Sequence, residues 1–126
     1  MSDAYERFPD YRVDLVLSAG VLRARCHDLV VAESTSALRV VETKHEPQIY
    51  FPRQDVRMQH LEPVDQTTYC PFKGHARYWH VRVADQLSTN AAWSYEDPMD
   101  EVAGLKDYIA FYGDLHGDFV EIRVDA

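Results

Sequence analysis

The sequence has little cysteine and no long apolar run. Its two cysteines, Cys26 and Cys70, form no CxxC pair, which excludes a disulfide framework and favours reduced thiols in a cytoplasmic protein. No apolar run approaches the roughly 18 residues that a membrane helix needs. Residues 1–12 also lack the basic-then-apolar order of a signal peptide. We therefore expect a cytoplasmic protein with no membrane partner.

Basic residues are scarce as well. Lysine and arginine together number 13 against 21 aspartates and glutamates, which gives a net charge of −8 at pH 7. Because affinity for nucleic acids comes mainly from lysine and arginine contacts to phosphates, we expect no nucleic-acid partner. The length of 126 residues is typical of one domain with a real core. The composition leaves a homo-oligomer open.

Alternating apolar and polar residues predict short β-strands along most of the chain. Residues 11–18 and 21–27 alternate on either side of Ala19-Gly20, which indicates a hairpin. Residues 75–83 and 88–95 indicate a second hairpin, and each of its strands carries a tryptophan. Shorter strands are predicted at residues 29–32, 38–42, 48–52 and 119–124.

One segment has a clear helical pattern. Apolar residues recur at three- and four-residue steps after Asp97, which predicts an amphipathic helix. The stripe consists of Val102, Leu105, Ile109 and Tyr112, and Gly113 is placed as the end of the helix. A shorter helix is expected over residues 53–61, followed by a loop over residues 63–68.

Together these elements predict a mainly β fold, α+β by element count. We expect a compact antiparallel β-barrel or β-tent-like domain of about seven short strands with one α-helix near residues 99–112. Residues 1–18 are interpreted as an N-terminal lead-in and extra strand, and residues 19–126 as a single β domain. No internal repeat or low-complexity segment divides the sequence.

Four strings of residues resemble a known family. They are VAES at 31–34, YFPR at 50–53, TYCPFKG at 68–74 and NAAWSY at 90–95. Together they resemble the bacterial and fungal family catalogued as domain of unknown function 427. The resemblance implies a tent-like β fold, also seen in B-type methionine sulfoxide reductases, and no established activity. A nucleotidyltransferase label is sometimes attached to this family, but the sequence has no Gly-Ser with paired metal-binding aspartates and no phosphate-cradling glycine loop.

The stretch Thr67–Trp79 contains the features most typical of a site. Pro71 and Gly74 predict a turn that holds Cys70 and Lys73 at the mouth of a strand. Cationic and aromatic side chains from other strings would converge there and bind a small anionic or aromatic metabolite. The predicted ligand-binding residues are Tyr50, Arg53, Asp55, Lys73, His75, Trp93 and Tyr95.

Two other functions stay open from the sequence. A small enzyme would use Cys70 or Lys73, with Glu42 or Asp55 as acid or base. A protein–protein interaction module would instead use its edge strands or its tail. We expect no cofactor and no metal, because the histidines and cysteines lack the close pairs of zinc sites. The ligands considered were Cys26, His27, His45, His60, Cys70, His75, His80 and His116.

Overall fold

The computed structural model describes residues 3–112 and 120–125. One short α-helix, α1, covers Asp3–Arg7. The ten strands are β1 Val13–Leu17, β2 Val21–Cys26, β3 Leu29–Ser34, β4 Leu38–Glu42, β5 Gln48–Pro52, β6 Leu61–Cys70, β7 Gly74–Val83, β8 Gln86–Ser94, β9 Tyr108–Phe111 and β10 Val120–Asp125. Short 3-10 helices cover Arg53–Asp55, Met58–His60 and Asp100–Leu105. None of the described helices is long and apolar enough to cross a membrane.

The strands form two antiparallel sheets, which confirms the mainly β fold. The larger sheet has the order β1-β4-β5-β9-β8-β7-β6, and the smaller has the order β10-β2-β3. Within the described residues the larger sheet is open, with β1 and β6 as its edges. The described strands therefore form no closed barrel, whereas a tent-like arrangement of two sheets is compatible with this order. The described strands number ten instead of about seven. β6 forms where a loop over residues 63–68 was expected, and β9 forms at the end of the predicted helix.

Apolar side chains cover both faces of the larger sheet. On one face, Phe51, Trp79 and Phe111 pack against residues of the smaller sheet such as Leu22 and Cys26. The opposite face is covered by the 3-10 helix of residues 100–105, whose Val102 and Leu105 pack against Val40, Tyr50 and Trp93. Neighbouring residues of one strand therefore pack into different cores, because successive side chains of a strand point to opposite faces of the sheet.

The helix predicted near residues 99–112 is wrong. A 3-10 helix ends at Leu105, Asp107 has a positive φ of 64°, and Tyr108–Phe111 forms β9. β9 lies between β5 and β8, so its apolar residues face both cores. A strand that is buried on both faces shows a continuous apolar run instead of alternation. Such a run can also fit the three- and four-residue spacing of an amphipathic helix. Gly113, the predicted end of the helix, lies outside the described residues.

Three further predictions, about strand pairing, a short helix and a loop, also need correction. The second hairpin is confirmed as β7 and β8, but the first is wrong. β1 pairs with β4, whereas β2 pairs with β3 and β10. The segment 53–61 contains two 3-10 turns instead of one helix. The expected loop 63–68 belongs to β6, an edge strand in which Pro63 is tolerated.

The turn between β6 and β7 is the predicted proline–glycine bend. Cys70 lies opposite Gly74 in the register of the two strands. Gly74 has φ +113°, a conformation that side chains rarely adopt, and a Cβ there would lie 3.2 Å from the Asp97 carbonyl oxygen. The Met99 N–H donates to the Lys73 carbonyl at 3.0 Å. Glycine at this position therefore lets the bend dock against residues 97–99.

We expect Gly74→Ala to lower the free energy of unfolding by about 2–3 kcal/mol, because it adds a close backbone contact to a strained φ. Gly20→Ala is the matched control. Gly20 also has a positive φ, 77°, but lies in an exposed turn, so we expect a loss of about 1 kcal/mol there. Urea denaturation of both variants measures the difference. Equal losses would contradict the docking role of Gly74.

Candidate functional site

A row of side chains runs across five strands on the face covered by residues 100–105. The register places Leu38 opposite Tyr50, Tyr50 opposite Ala110, Ala110 opposite Trp93, and Trp93 opposite Tyr78. Ala110 is the one small residue of this row. Because of it, Trp93 Nε1 can donate a hydrogen bond of 3.0 Å to the Tyr50 hydroxyl. The two rings meet edge to face, with centroids 6.0 Å apart.

An ion pair lies beside this row. Glu42 ends β4, and its Oε1 accepts a hydrogen bond from Lys73 Nζ in the β6–β7 turn. The side chains are only 7% and 12% exposed. Removing two charges from water is costly, and the cost is offset only when the charges are well paired. The Lys73 ammonium also lies 5.7 Å from the centroid of the Tyr95 ring, within cation–π range.

This ion pair connects distant parts of the larger sheet. β4 and β7 are separated by four interstrand steps, which amounts to about 19 Å in a flat sheet. That distance exceeds the combined reach of a glutamate and a lysine side chain. The sheet must therefore curl around the row of aromatic residues for the pair to form. The curl leaves a hollow between the rings and the charged pair.

The hollow has a volume of about 360 Å³, within the usual range of small-molecule sites. We call it the aromatic cavity. It is lined by Val40, Glu42, His45, Glu46, Gln48, Tyr50, Lys73, Tyr78, Trp93, Tyr95 and Tyr112. The Trp93 and Tyr112 ring centroids are 4.5 Å apart, and His45 Nε2 is 3.8 Å from Glu42 Oε2. Tryptophan and tyrosine rings thus form much of its lining, and Glu42, Lys73 and His45 lie together.

Three tyrosines of the aromatic cavity, Tyr50, Tyr95 and Tyr112, hold their protons more tightly than an ordinary tyrosine does because their pKa values are raised. Burial raises the pKa of Tyr50 and Tyr95 well above the usual value of 10, and the nearby Glu42 carboxylate acts in the same direction. Burial and the neighbouring Tyr78 also raise the pKa of Tyr112. At neutral pH these side chains are therefore uncharged hydroxyls that can donate or accept a hydrogen bond.

The structure brings four of the predicted ligand-binding residues to one cavity: Tyr50, Lys73, Trp93 and Tyr95. The other three lie elsewhere. Arg53 Nη1 pairs with Glu96 at 3.0 Å, and the Asp55 carboxylate accepts the Ser34 hydroxyl at 2.6 Å. His75 is exposed beside the Tyr69 ring.

Arg53 takes part in a separate cluster on the larger sheet. Arg77 also pairs with Glu96, at 3.3 Å, and its guanidinium lies 4.4 Å from the Trp79 ring centroid. Arg53 approaches the same ring at 5.6 Å. The positions of Arg53 and Asp55 close to Tyr50 in sequence did not predict this separate cluster. The chain turns through a 3-10 helix after Pro52, which carries both residues away from Tyr50.

The two thiols lie in different surroundings. Cys26 is fully buried, and burial raises the pKa of its thiol, with Ser88 Oγ 3.7 Å away. A buried neutral thiol is a poor nucleophile. Cys70 is half-buried at the end of β6 and does not line the aromatic cavity as the described chain forms it. In residues 3–112 and 120–125 no three His, Cys, Asp or Glu side chains cluster as a metal site, and His116 lies outside this range.

Several cavity residues were missed by the sequence analysis. Tyr112 had been assigned to a helix, and Tyr78 lay in a predicted strand without a role. The predicted β7–β8 hairpin carried a signal for Tyr78, since its register pairs Tyr78 with Trp93. His45 and Glu46 follow Glu42 in the turn after β4. Polar residues are common in turns, so their presence there gave no sign of a site.

We expect the Glu42–Lys73 pair to show strong coupling in unfolding. Glu42→Gln and Lys73→Met each leave one buried charge unpaired, so each should cost about 3–5 kcal/mol. The double variant should cost clearly less than the sum of the two. Urea denaturation of all four proteins gives the coupling energy.

The exposed pair Arg12–Asp14, with side chains 74% and 48% exposed, provides the control. Arg12→Met should change the free energy of unfolding by less than about 1 kcal/mol. Additive losses for Glu42→Gln and Lys73→Met would show that the two side chains do not interact in solution.

The raised tyrosine pKa values predict a loss of stability in alkali. Above about pH 10 the unfolded chain releases tyrosine protons that the folded protein retains, so the free energy of unfolding falls as pH rises. Each such tyrosine contributes up to about 1.4 kcal/mol per pH unit. We expect Tyr95→Phe to flatten this fall between about pH 10 and 11, measured by urea denaturation. An unchanged slope would contradict the retained Tyr95 proton.

Comparison with known proteins supports the resemblance seen in the four sequence strings. Residues 14–126 match the family described as a domain of unknown function (DUF427). A search of curated proteins found no match. The matched region contains both sheets and every residue that lines the aromatic cavity, whereas α1 and Tyr11 precede it. The chain therefore belongs to the DUF427 family.

Proposed function

We propose that this protein binds a small aromatic metabolite in the aromatic cavity. The observation that carries this proposal is the combination of a 360 Å³ hollow, rings on several sides and a single buried ion pair. Small-molecule sites are typically lined by apolar and aromatic side chains with a few well-placed polar groups. A planar ring inside the hollow would contact the Trp93 and tyrosine side chains that line it.

Contacts between rings favour an aromatic ligand over an aliphatic one. Trp93 already contacts Tyr50 edge to face and lies 4.5 Å from Tyr112. A further ring would gain similar contacts, worth about 0.5–1.5 kcal/mol each beyond the burial of apolar area. The neutral hydroxyls of the cavity tyrosines supply hydrogen bonds that orient a ligand.

The charges favour a neutral ligand over an anion. Lys73 is the cation that the sequence analysis assigned to an anionic ligand, but its ammonium is bound by Glu42. Glu46 adds a second carboxylate to the cavity lining. An anion would therefore have to displace Glu42 or remain near two acidic groups. A neutral ring that carries a hydroxyl or an amide avoids this cost.

Catalysis by Lys73 or Cys70 has less support. The Lys73 amine is occupied by the Glu42 carboxylate, and a lysine nucleophile needs a free amine. Cys70 lies outside the described lining of the cavity. We therefore propose a binding function instead of a covalent mechanism. The two free cysteines also support a cytoplasmic location, because small secreted domains usually form disulfides.

A thermal-shift series with single-ring compounds tests the binding function. The probes are benzyl alcohol, phenol and indole, and cyclohexylmethanol is the control without an aromatic ring. We expect the aromatic probes to stabilise the protein by about 2.7 kcal/mol at one hundred times their Kd. Cyclohexylmethanol should bind more weakly at equal concentration.

Variants locate the bound probe. Tyr112→Leu removes a wall of the aromatic cavity and should weaken binding of benzyl alcohol about tenfold. Tyr69→Leu removes a tyrosine that is 57% exposed and outside the cavity, so binding should not change. Failure of every aromatic probe, or equal binding to both variants, would refute the proposed function.

A further inference from the structure

The N-terminal segment, which we define as residues 3–12, precedes the part of the chain that matches the family but reaches the charged side of the aromatic cavity. The Thr43 N–H donates to the Arg12 carbonyl at 3.0 Å, and the Arg12 N–H donates to Thr43 Oγ1 at 2.9 Å. These bonds continue the pairing of β1 with β4, in which Val13 lies opposite Glu42. Tyr11 is thereby fixed beside the end of β4.

Phe72 anchors the segment to the β6–β7 turn. The Tyr11 ring stacks on Phe72 with centroids 3.7 Å apart and planes 12° apart. The Tyr5 ring meets Phe72 edge to face at 5.2 Å, and the Tyr5 hydroxyl donates to the Phe72 carbonyl at 2.6 Å. Phe8 approaches the same ring at 6.2 Å. Phe72 directly precedes Lys73, so the segment packs against the residue beside the ion pair.

The Tyr11 hydroxyl completes the hydrogen bonding of Glu42. It donates to Glu42 Oε2, whereas Lys73 donates to Oε1. Oε2 is also the oxygen that lies 3.8 Å from His45, a residue of the cavity lining. Each carboxylate oxygen therefore has a donor within the protein, and the oxygen on the side of His45 depends on a residue from outside the family match.

Resting on the proposed function, we propose that Tyr11 determines the specificity of the aromatic cavity. By donating to Glu42 Oε2, it satisfies the carboxylate and so removes the advantage that ring compounds with an amine would have over neutral ring compounds. Tyr11 acts through Glu42 and is a positioning residue. The N-terminal segment is thereby a functional part of the site.

The physical reason is competition for one acceptor. An ammonium group forms charge-assisted hydrogen bonds to carboxylates that are about twice as strong as neutral ones. A cavity with an unsatisfied, desolvated carboxylate would therefore select amines. With the Tyr11 hydroxyl in place, an amine would have to displace a bond already made, and it would gain little over a hydroxyl of the same size.

Benzylamine and benzyl alcohol test this proposal, because they differ only in the polar group. Their Kd values are measured by isothermal titration calorimetry with the full chain at pH 7. We expect wild type to bind benzyl alcohol at least as tightly as benzylamine. Tyr11→Phe keeps the stack on Phe72 but removes the donor, so the preference should shift toward benzylamine by about tenfold.

Tyr5→Phe is the matched control. It removes a hydroxyl from the same segment and keeps the ring on Phe72, but that hydroxyl binds the Phe72 carbonyl instead of Glu42. We expect its preference between the two probes to equal that of wild type. An unchanged preference in Tyr11→Phe, or the same shift in Tyr5→Phe, would overturn the role of Tyr11 while benzyl alcohol still binds. If wild type binds neither probe, the proposed function itself fails, and the selectivity fails with it.

A second measurement uses the wild-type protein alone, without a variant and without a ligand. NMR of protein labelled with ¹³C at the tyrosine Cζ follows each phenol as pH rises, with Tyr11 assigned through sequential connectivities. Burial, the bond to Glu42 and the nearby Cys70 and Tyr5 raise the Tyr11 pKa, and Lys73 lies on the far oxygen of Glu42. The Tyr11 signal should stay unmoved through about pH 10, where an ordinary tyrosine titrates. Titration near pH 10 would show that the carboxylate does not hold the hydroxyl, and would overturn the proposal.

Discussion

The contact between Glu42 and Lys73 is the constraint on which the site depends. It joins the end of β4 to the β6–β7 turn across three intervening strands, so the larger sheet must curl around its aromatic face. The pair lines the hollow together with Trp93 and four tyrosines. Without a partner, either charge would be too costly to bury. The shape of the cavity therefore depends on the pairing of Glu42 with Lys73.

The glycine bend and the N-terminal segment both support this contact from outside the cavity. Gly74 allows the bend to dock on residues 97–99, where the Met99 N–H binds the Lys73 carbonyl. Tyr11 stacks on Phe72 and binds the second oxygen of Glu42. Backbone, ring and hydroxyl thus fix the position of the ion pair independently. A site fixed in this way is pre-organised, which lowers the entropy cost of binding a ligand.

Particular residues show where sequence patterns fail to predict the type of an element or the pairing of strands. Tyr108–Phe111 is a strand between two others, and a four-residue apolar run has no period that separates it from a helix. β1 and β2 were recognised by alternation, but alternation does not say which strands pair, and β1 pairs with β4. For the same reason Arg53 and Asp55, close to Tyr50 in sequence, lie away from the aromatic cavity, whereas Tyr112 lines it.

Local patterns in the amino-acid sequence were enough to predict the mainly β class, the β7–β8 hairpin, the bend at Pro71–Gly74 and the family. These features follow from alternation, turn residues and contiguous strings. Which side chains contact one another depends on the folded arrangement of the strands. Glu42 and Lys73 are 31 residues apart, as are Glu42 and Tyr11, and contacts at such separations depend on the order of strands in the sheet. That order depends on burying both apolar faces of the larger sheet at once. This is a property of the whole chain, and no short stretch of sequence predicts it.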